Sequence, residues 1–340
     1  MTSLLEPFEW KGLKLKNRIV MPPMCQYSVT AKDGIPNDWH FTHYTSRAVG
    51  GAGLIIMEMT DVEPDGRITD FDLGLWSDEQ IPAFQRIIKV CQSYGTKVGI
   101  QIAHAGRKAE DAAQPVSSSA IRFSDRYKQP RELSTEEVKV MVQKFEAAFE
   151  RAVKAGVDTI EIHGAHGYLI HQFQSPLTNK RNDVYGANKA QFGIEIIQAA
   201  RRVMPESMPL IMRLSAVEYA EEGYDINYSI ELAKQYKEAG VDIFHVSSGG
   251  ESTNGPSFAG QGYQLELATA IKEAVQVPTI AVGRMEDPKF SDAAIREGKT
   301  DLVAVGRGML GNPFWASEAS IALGGQPLTP KPVAPAYSIR

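Results

Sequence analysis

The chain alternates two rhythms of hydrophobic and polar positions. Short runs rich in β-branched residues recur, each followed by a polar loop and a stretch with apolar positions three and four apart. The short runs are 18-RIVM-21, 53-GLIIMEM-59, 97-KVGIQIA-103, 159-TIEIH-163, 210-LIMRL-214, 242-DIFHV-246, 279-TIAV-282 and 301-DLVAV-305. We read them as eight strands. Helical spacing marks 78-DEQIPAFQRIIKVCQSYG-95, 135-TEEVKVMVQKFEAAFERAVKAG-156 and 228-YSIELAKQYKEAG-240. The last two end on Ala-Gly just before a strand, a C-cap signal. Ser134 with Glu137 three residues on resembles a capping box. GLIIMEM is apolar almost throughout, as in a sheet covered by helices on one side and packed on the other. Eight strand–helix units in succession predict an α/β fold, a (β/α)₈ TIM barrel.

The remaining segments are additions to that barrel. Residues 1–17 (EPFEWKGLKLKN at their core) predict an N-terminal hairpin covering the barrel bottom. Residues 104–134, after strand three, make a polar segment too long for a plain βα loop. The tail 326-QPLTPKPVAPAYSIR-340 carries four prolines and is expected to run as an extended arm. We expect one domain across residues 1–340.

Composition narrows the function. The 340 residues are 43% hydrophobic and 23% charged, enough for a sizeable core. The net charge of −5 gives no reason to expect a nucleic-acid partner. No 18-residue apolar run occurs, and the first residues lack the basic start and apolar block of a signal peptide, so we expect a cytoplasmic protein without membrane contact. Two cysteines, Cys25 and Cys91, exclude a disulfide framework and a four-cysteine metal or iron–sulfur site.

In such a barrel the loops after the strand C-termini build the active site. Those positions hold Cys25 and Tyr27; Thr60; Gln101 and His104; His163, His166 and Tyr168; Arg213; Ser247 to Gly250; Gly283 and Arg284; and Gly306, Arg307 and Gly308. Glycines after strands seven and eight are where barrels commonly hold a phosphate, and Arg307 adds a fork of donors; the alternative is that they are turn residues. The string 306-GRGMLG-311 matches G-x-G-x-x-G, but no second βαβ half follows, which argues against a dinucleotide fold. The histidines of 159-TIEIHGAHGYLIHQF-173 admit a metal site with Glu161, a packed structural cluster, or a site for an organic cofactor. H-E-x-x-H is absent. Cys25 paired with His163 or His166 would be a candidate nucleophile.

The segments KNRIVMPPMCQY, GLIIMEMT, GIQIAHAGRKA, EIHGAHGYLIHQFQSPLTNKRNDVYG and DLVAVGRGML, in this order, resemble the Old Yellow Enzyme family, most closely its bacterial NADPH dehydrogenase and xenobiotic reductase branch. The resemblance runs from about residue 5 to 325. It implies an FMN-containing barrel that reduces activated C=C bonds with NADPH or NADH in a ping-pong cycle. It makes His163 and His166 donors to the substrate oxygen and Tyr168 the proton donor, with no metal. It places Tyr27 near that oxygen, and Cys25 against the flavin, which demotes the nucleophile reading. Pro22, Pro23 and Thr60 would line the flavin, Gln101 would meet its pyrimidine edge, and Arg213 would stand by N1. Ser248, Gly249, Gly283, Gly306 and Arg307 would form the phosphate end. His171 has no expected role. The segment 185-YGANKAQFGIEII-197 is shorter than in relatives and lacks their arginines. Arg340, one residue further from Tyr337 than in relatives, is the candidate for an arginine reaching a neighbouring subunit in a homo-oligomer, dimer or tetramer. Other flavin barrel chemistry, such as hydroxy-acid oxidation using Arg284 and Arg307, and a non-enzymatic binding module are the alternatives.

Overall fold

The structure is a computed structural model and describes residues 2–337. Eight parallel strands close into a ring: β1 (Ile19–Met21), β2 (Leu54–Asp61), β3 (Lys97–Ala103), β4 (Thr159–Gly164), β5 (Leu210–Ser215), β6 (Ile243–Ser247), β7 (Thr279–Ala281) and β8 (Leu302–Ala304). Each pairs with its neighbour in chain order, and β8 returns to β1 through Val303–Ile19 and Ala304–Val20. The packing helices are α1 (Asp38–Val49), α2 (Ile81–Ser93), α3 (Thr135–Ala155), α4 (Gln191–Val203), α5 (Ile226–Ala239), α6 (Leu265–Val275), α7 (Pro288–Arg296) and α8 (Trp315–Ala322). The fold is the (β/α)₈ barrel that the sequence predicts.

Period-two alternation sorts each strand's side chains between two environments. Ile160, Ile162, Met212, Leu214, Phe244 and Val246 join the helices in the large outer core. Val20, Leu54, Ile56, Ile211, Ile243, Ile280 and Leu302 cluster instead with Phe8, Leu13 and Leu15. Those last three come from an antiparallel hairpin, Phe8–Trp10 with Leu13–Leu15, which plugs the N-terminal end of the barrel. Burying this apolar layer contributes on the order of 25 cal/mol per Å².

The capping box at α3 is present: Ser134 Oγ accepts from Glu137 N–H, and the Glu137 carboxylate accepts from Ser134 N–H. Gly156 closes the helix at φ +90°, the left-handed conformation that glycine adopts without strain. Three details differ from the sequence expectation. A β-bulge between Met57 and Met59 shifts the β2–β3 register. Residues 104–134 hold a small parallel pairing, Val116–Ser117 with Arg131–Glu132. The tail is not extended throughout: Leu328 N–H donates to Ser317 Oγ at 3.0 Å, and Ala334–Tyr337 curls into a 3₁₀ turn. Arg340 lies outside the described residues. Among them, no helix is long and apolar enough to cross a membrane.

Candidate active site

Above the apolar plug the inward positions of the same strands turn polar. Gln101 of β3 donates to Glu161 Oε1 of β4 at 2.7 Å, and His245 Nδ1 of β6 meets Glu161 Oε2 at 2.7 Å. Glu161 is thus engaged by two side chains and is not free to join His163 as a metal ligand. Arg213 of β5 pairs in register with His163 on one side and His245 on the other. It is 7% exposed, and its Nε has no partner among the described residues; nor does His245 Nε2. Buried donors left unpaired cost free energy, so they imply a ligand above them.

The β4 C-terminus brings the predicted constellation together. The His163 and His166 rings meet edge-on with centroids 5.1 Å apart, and His163 and Tyr168 do the same at 4.9 Å. Burial, with Arg213 close by, holds both imidazoles far below their usual range, so they are neutral. His163 Nδ1 accepts from Ala165 N–H at 3.3 Å, which leaves its hydrogen on Nε2. His166 Nε2 lies 2.7 Å from Ser247 Oγ. Burial, with Cys25 and Tyr27 nearby, pushes the Tyr168 phenol well above its ordinary value. This site therefore offers neutral N–H donors beside a protonated phenol.

The loop after β1 covers that phenol. Cys25 and Tyr168 pack against one apolar group formed by Met59, Ile68, Ala103, Ala105, Ala109 and Ala112. Burial and the carboxyls of Glu58, Asp72 and Asp61 keep Cys25 a thiol, which argues against a thiolate nucleophile. Tyr27 is half-exposed with φ +50°, a strained backbone at a rim position. Gln26 N–H on Glu58 Oε2 (2.7 Å) anchors the loop to β2. The Thr60 hydroxyl donates to Glu58 O at 2.9 Å, and Met59, at the bulge, joins this apolar group.

At the other side of the rim, Pro22 and Met24 lie 3.6 Å from where a Cβ on Gly306 would be. Pro23 is half-buried next to them. Gly283 has φ +110°, and a Cβ there would press on Gln264 and Tyr263, so this backbone must be glycine. Ser248 Oγ donates to Gln264 Oε1 at 2.6 Å, Gly249 has φ +69°, and Arg307 is exposed. Arg284 is also exposed, its guanidinium donating to Ala259 O. A close glycine backbone, an exposed guanidinium and an orphaned buried arginine fit an organic cofactor with a phosphate tail.

Several residues escaped the sequence reading. Lys108 Nζ donates to His166 O (2.8 Å) and Gly250 O (2.5 Å) and stands 5.5 Å from the Tyr168 ring centroid; burial lowers its pKa to about 8. Arg107 forms a buried ion pair with Glu251 at 2.7 Å. Arg181 clamps Asp183, Ser118 O and Leu133 O where the shortened segment begins, and Asp183 caps the single turn Val184–Ala187. His171 is fully buried between Gly167 and Glu218. The spacing of GRK after β3 was the available signal for the first two; nothing local marked the others.

A parallel barrel whose C-terminal rim combines unpaired cationic donors, neutral imidazoles and a phenol is the frame of a cofactor-dependent oxidoreductase. The model of the NADH:flavin oxidoreductase / NADH oxidase family matches residues 3–324, and the chain belongs to that family. It is thus an NAD(P)H-dependent flavin oxidoreductase, with FMN as its cofactor. The chain is 45% identical over 321 residues to the NADPH dehydrogenase of Bacillus subtilis, covering 94% of each. It is 44% identical over 327 residues to that of Listeria welshimeri, covering 95% of this chain and 96% of the relative. Morphinone reductase superposes with a TM-score of 0.82 at 25% identity, over 98% of this chain and 92% of that one. These likenesses place the chain among the Old Yellow Enzymes, as the motifs imply.

Proposed function

We propose that the protein is an ene-reductase, reducing the C=C bond of α,β-unsaturated carbonyl or nitro compounds with electrons from NADPH or NADH in a ping-pong cycle. The observation that carries this is the edge-on trio of His163, His166 and Tyr168, all held in neutral, hydrogen-bearing forms. When bound, FMN would supply the hydride-transfer chemistry that links the nicotinamide to the substrate β-carbon.

The chain's own residues do the rest. The His163 and His166 N–H groups donate to the carbonyl or nitro oxygen, where negative charge develops as the β-carbon gains its hydride. Tyr168 Oη–H protonates the α-carbon as general acid. Desolvation keeps that phenol protonated until the substrate demands the proton. Arg213, with its buried Nε, would hold the electron-rich edge of the reduced cofactor, and Gln101, positioned by Glu161, the pyrimidine side. Pro22, Pro23, Cys25 and Thr60 would belong to the flavin's surroundings; Ser248, Gly249, Gly283, Gly306 and Arg307 to its phosphate end. Thr60 would contribute through backbone, since its hydroxyl is spent within its own strand. Tyr27 would close the pocket over the substrate oxygen. Two unpaired cysteines suit a reducing, cytoplasmic setting, and the same reading makes the enzyme a homo-oligomer whose C-terminal arm reaches a neighbour.

The test is spectroscopic. The purified protein should show flavin absorbance that bleaches with NADPH without oxygen and returns on adding 2-cyclohexen-1-one. A flavin that bleaches but is not reoxidised by the enone would rule this reaction out.

A further inference from the structure

The turn that aims the catalytic side chains is strained, and what restrains it points to a further residue. His166 and Gly167 occupy consecutive left-handed conformations, φ +59° and +74°. A side chain at His166 disfavours this, so the turn needs support from outside itself. Four side chains supply it. Ser215 Oγ accepts from His166 N–H at 3.0 Å, and Lys108 Nζ donates to His166 O at 2.8 Å. Gln172 Nε2 donates to Gly167 O at 2.8 Å, and His171 Nδ1 accepts from Gly167 N–H at 2.9 Å. Tyr168 follows immediately, at the start of the short helix Leu169–Gln174 that carries His171 itself.

Of these four, only His171 has to choose a tautomer. Accepting at Nδ1 obliges a neutral ring to keep its hydrogen on Nε2. Two groups receive that hydrogen: Glu218 Oε1 at 3.1 Å and Tyr224 Oη at 2.8 Å. The Tyr224 hydroxyl donates its own hydrogen to Ser215 O at 2.6 Å, so toward His171 its oxygen accepts. Glu218 is fixed in turn by Tyr224 N–H on Oε2 at 2.9 Å. Glu251 Oε2 is 3.5 Å from Nδ1, too far to displace the Gly167 N–H.

We propose that His171 is a positioning residue for the reaction. Locked by Glu218 and Tyr224 as the Nε2–H tautomer, it grips Gly167 N–H and so aims His166 at the substrate oxygen and Tyr168 at the α-carbon. The proposal rests on the ene-reductase reading. A cation site is the competing interpretation, since ligand atoms of His171, Glu218 and Glu251 lie within 4.8 Å of one another. Arg107 already neutralises Glu251, and Gly167 N–H points at Nδ1, so a cation would meet a guanidinium and the positive end of a peptide dipole.

The test compares FMN-loaded variants by single turnover of the NADPH-reduced enzyme with saturating 2-cyclohexen-1-one. His171→Leu should slow this step by about 10–100-fold, the scale of a small misplacement of reacting groups, with kcat changed more than KM. His171→Asn should restore most of the rate, because its Oδ1 falls near the place of Nδ1 and accepts from Gly167 N–H. Glu218→Gln keeps the bulk and can still accept from Tyr224 N–H, but it turns an NH₂ toward Nε2 and favours the wrong tautomer. It should behave like His171→Leu with FMN content unchanged. In a Tyr168→Phe background the His171→Leu loss should shrink to about threefold or less, as for residues acting as one unit. Equal losses for the Asn and Leu variants, or full additivity with Tyr168→Phe, would reduce His171 to a packing residue. Nitrogen-15 spectra of the histidine-labelled wild-type holoenzyme decide the tautomer without any turnover: an Nδ1–H ring at His171 overturns the proposal. An enzyme whose flavin bleaches but ignores enones, yet shows the Nε2–H ring, overturns the reaction and leaves the turn geometry standing.

Discussion

The barrel interior contains two layers built from the same strands two residues apart, and they do opposite things. Lower down stand Ile211 and Ile243, packed with the hairpin's Phe8, Leu13 and Leu15. One step up, the same strands present Arg213 and His245, each with a buried nitrogen that lacks a partner among the described residues. The lower layer is satisfied by itself. The upper layer is complete only when something else is bound. Alternation selects the face; only the height along the strand separates stability from function.

The predictions probe that division, beginning with the upper layer. Tyr168→Phe should slow enone reduction by about 10²–10⁴ while flavin reduction by NADPH survives, the usual worth of a general acid. Stopped-flow measurement of both half-reactions checks this, and equal loss in the two would make Tyr168 structural. The converse holds below. Ile211→Ala should cost about 2–5 kcal/mol of stability through the cavity it leaves, measured by denaturant unfolding, with the rate per folded molecule unchanged. A change in substrate preference would erase the functional boundary between the layers.

Outside both layers, acid sensitivity should arise from α1. Burial, with Arg47 and His40 adjacent, holds the His43 ring down to about 3. The native state therefore refuses a proton that the unfolded chain accepts near its ordinary histidine value. Stability conferred by the neutral ring is present above pH ~6.5 and is lost as pH falls toward about 3. The slope is about 1.4 kcal/mol per pH unit between those values. His43→Phe should flatten that limb in urea titrations from pH 6.5 to pH 4; an unchanged slope would move acid sensitivity back into the barrel. The smallest effect belongs to the outer shell. Ser134→Ala removes the α3 cap and should cost about 1 kcal/mol, with no change in either half-reaction.

The periodic elements were legible because their cause is local. Short β-branched apolar runs placed all eight barrel strands to within a few residues, and Ser134 with Glu137 marked the start of α3. The rim constellation was legible because it follows directly from β4, and its expected chemistry came from family motifs. What escaped depends on distant partners. The bulge at Met57 and Met59, which shifts the β2–β3 register just before Thr60, has no local signature. Arg107 and Glu251 are 144 residues apart. His171 looked idle because its partners Glu218 and Tyr224 arrive from the loop after β5. The tail's prolines favour extension, but contacts of Leu328 with Ser317 and the turn near Tyr337 override that preference.

The Arg107–Glu251 pair has a consequence for how such an enzyme diversifies. It latches the segment after β3 to the segment after β6 across the barrel mouth, and Lys108 adds a second tie to Gly250. Loops of a barrel are commonly treated as interchangeable parts, each replaced without regard to the rest. Here two of them form one bonded unit. A graft that exchanges residues 104–134 alone would strand a buried carboxylate, whereas exchanging both segments together preserves the latch. Loop exchange in this chain should therefore tolerate paired transfers and reject single ones that lack the latch, making this part of the rim a joined module rather than a set of independent fingers.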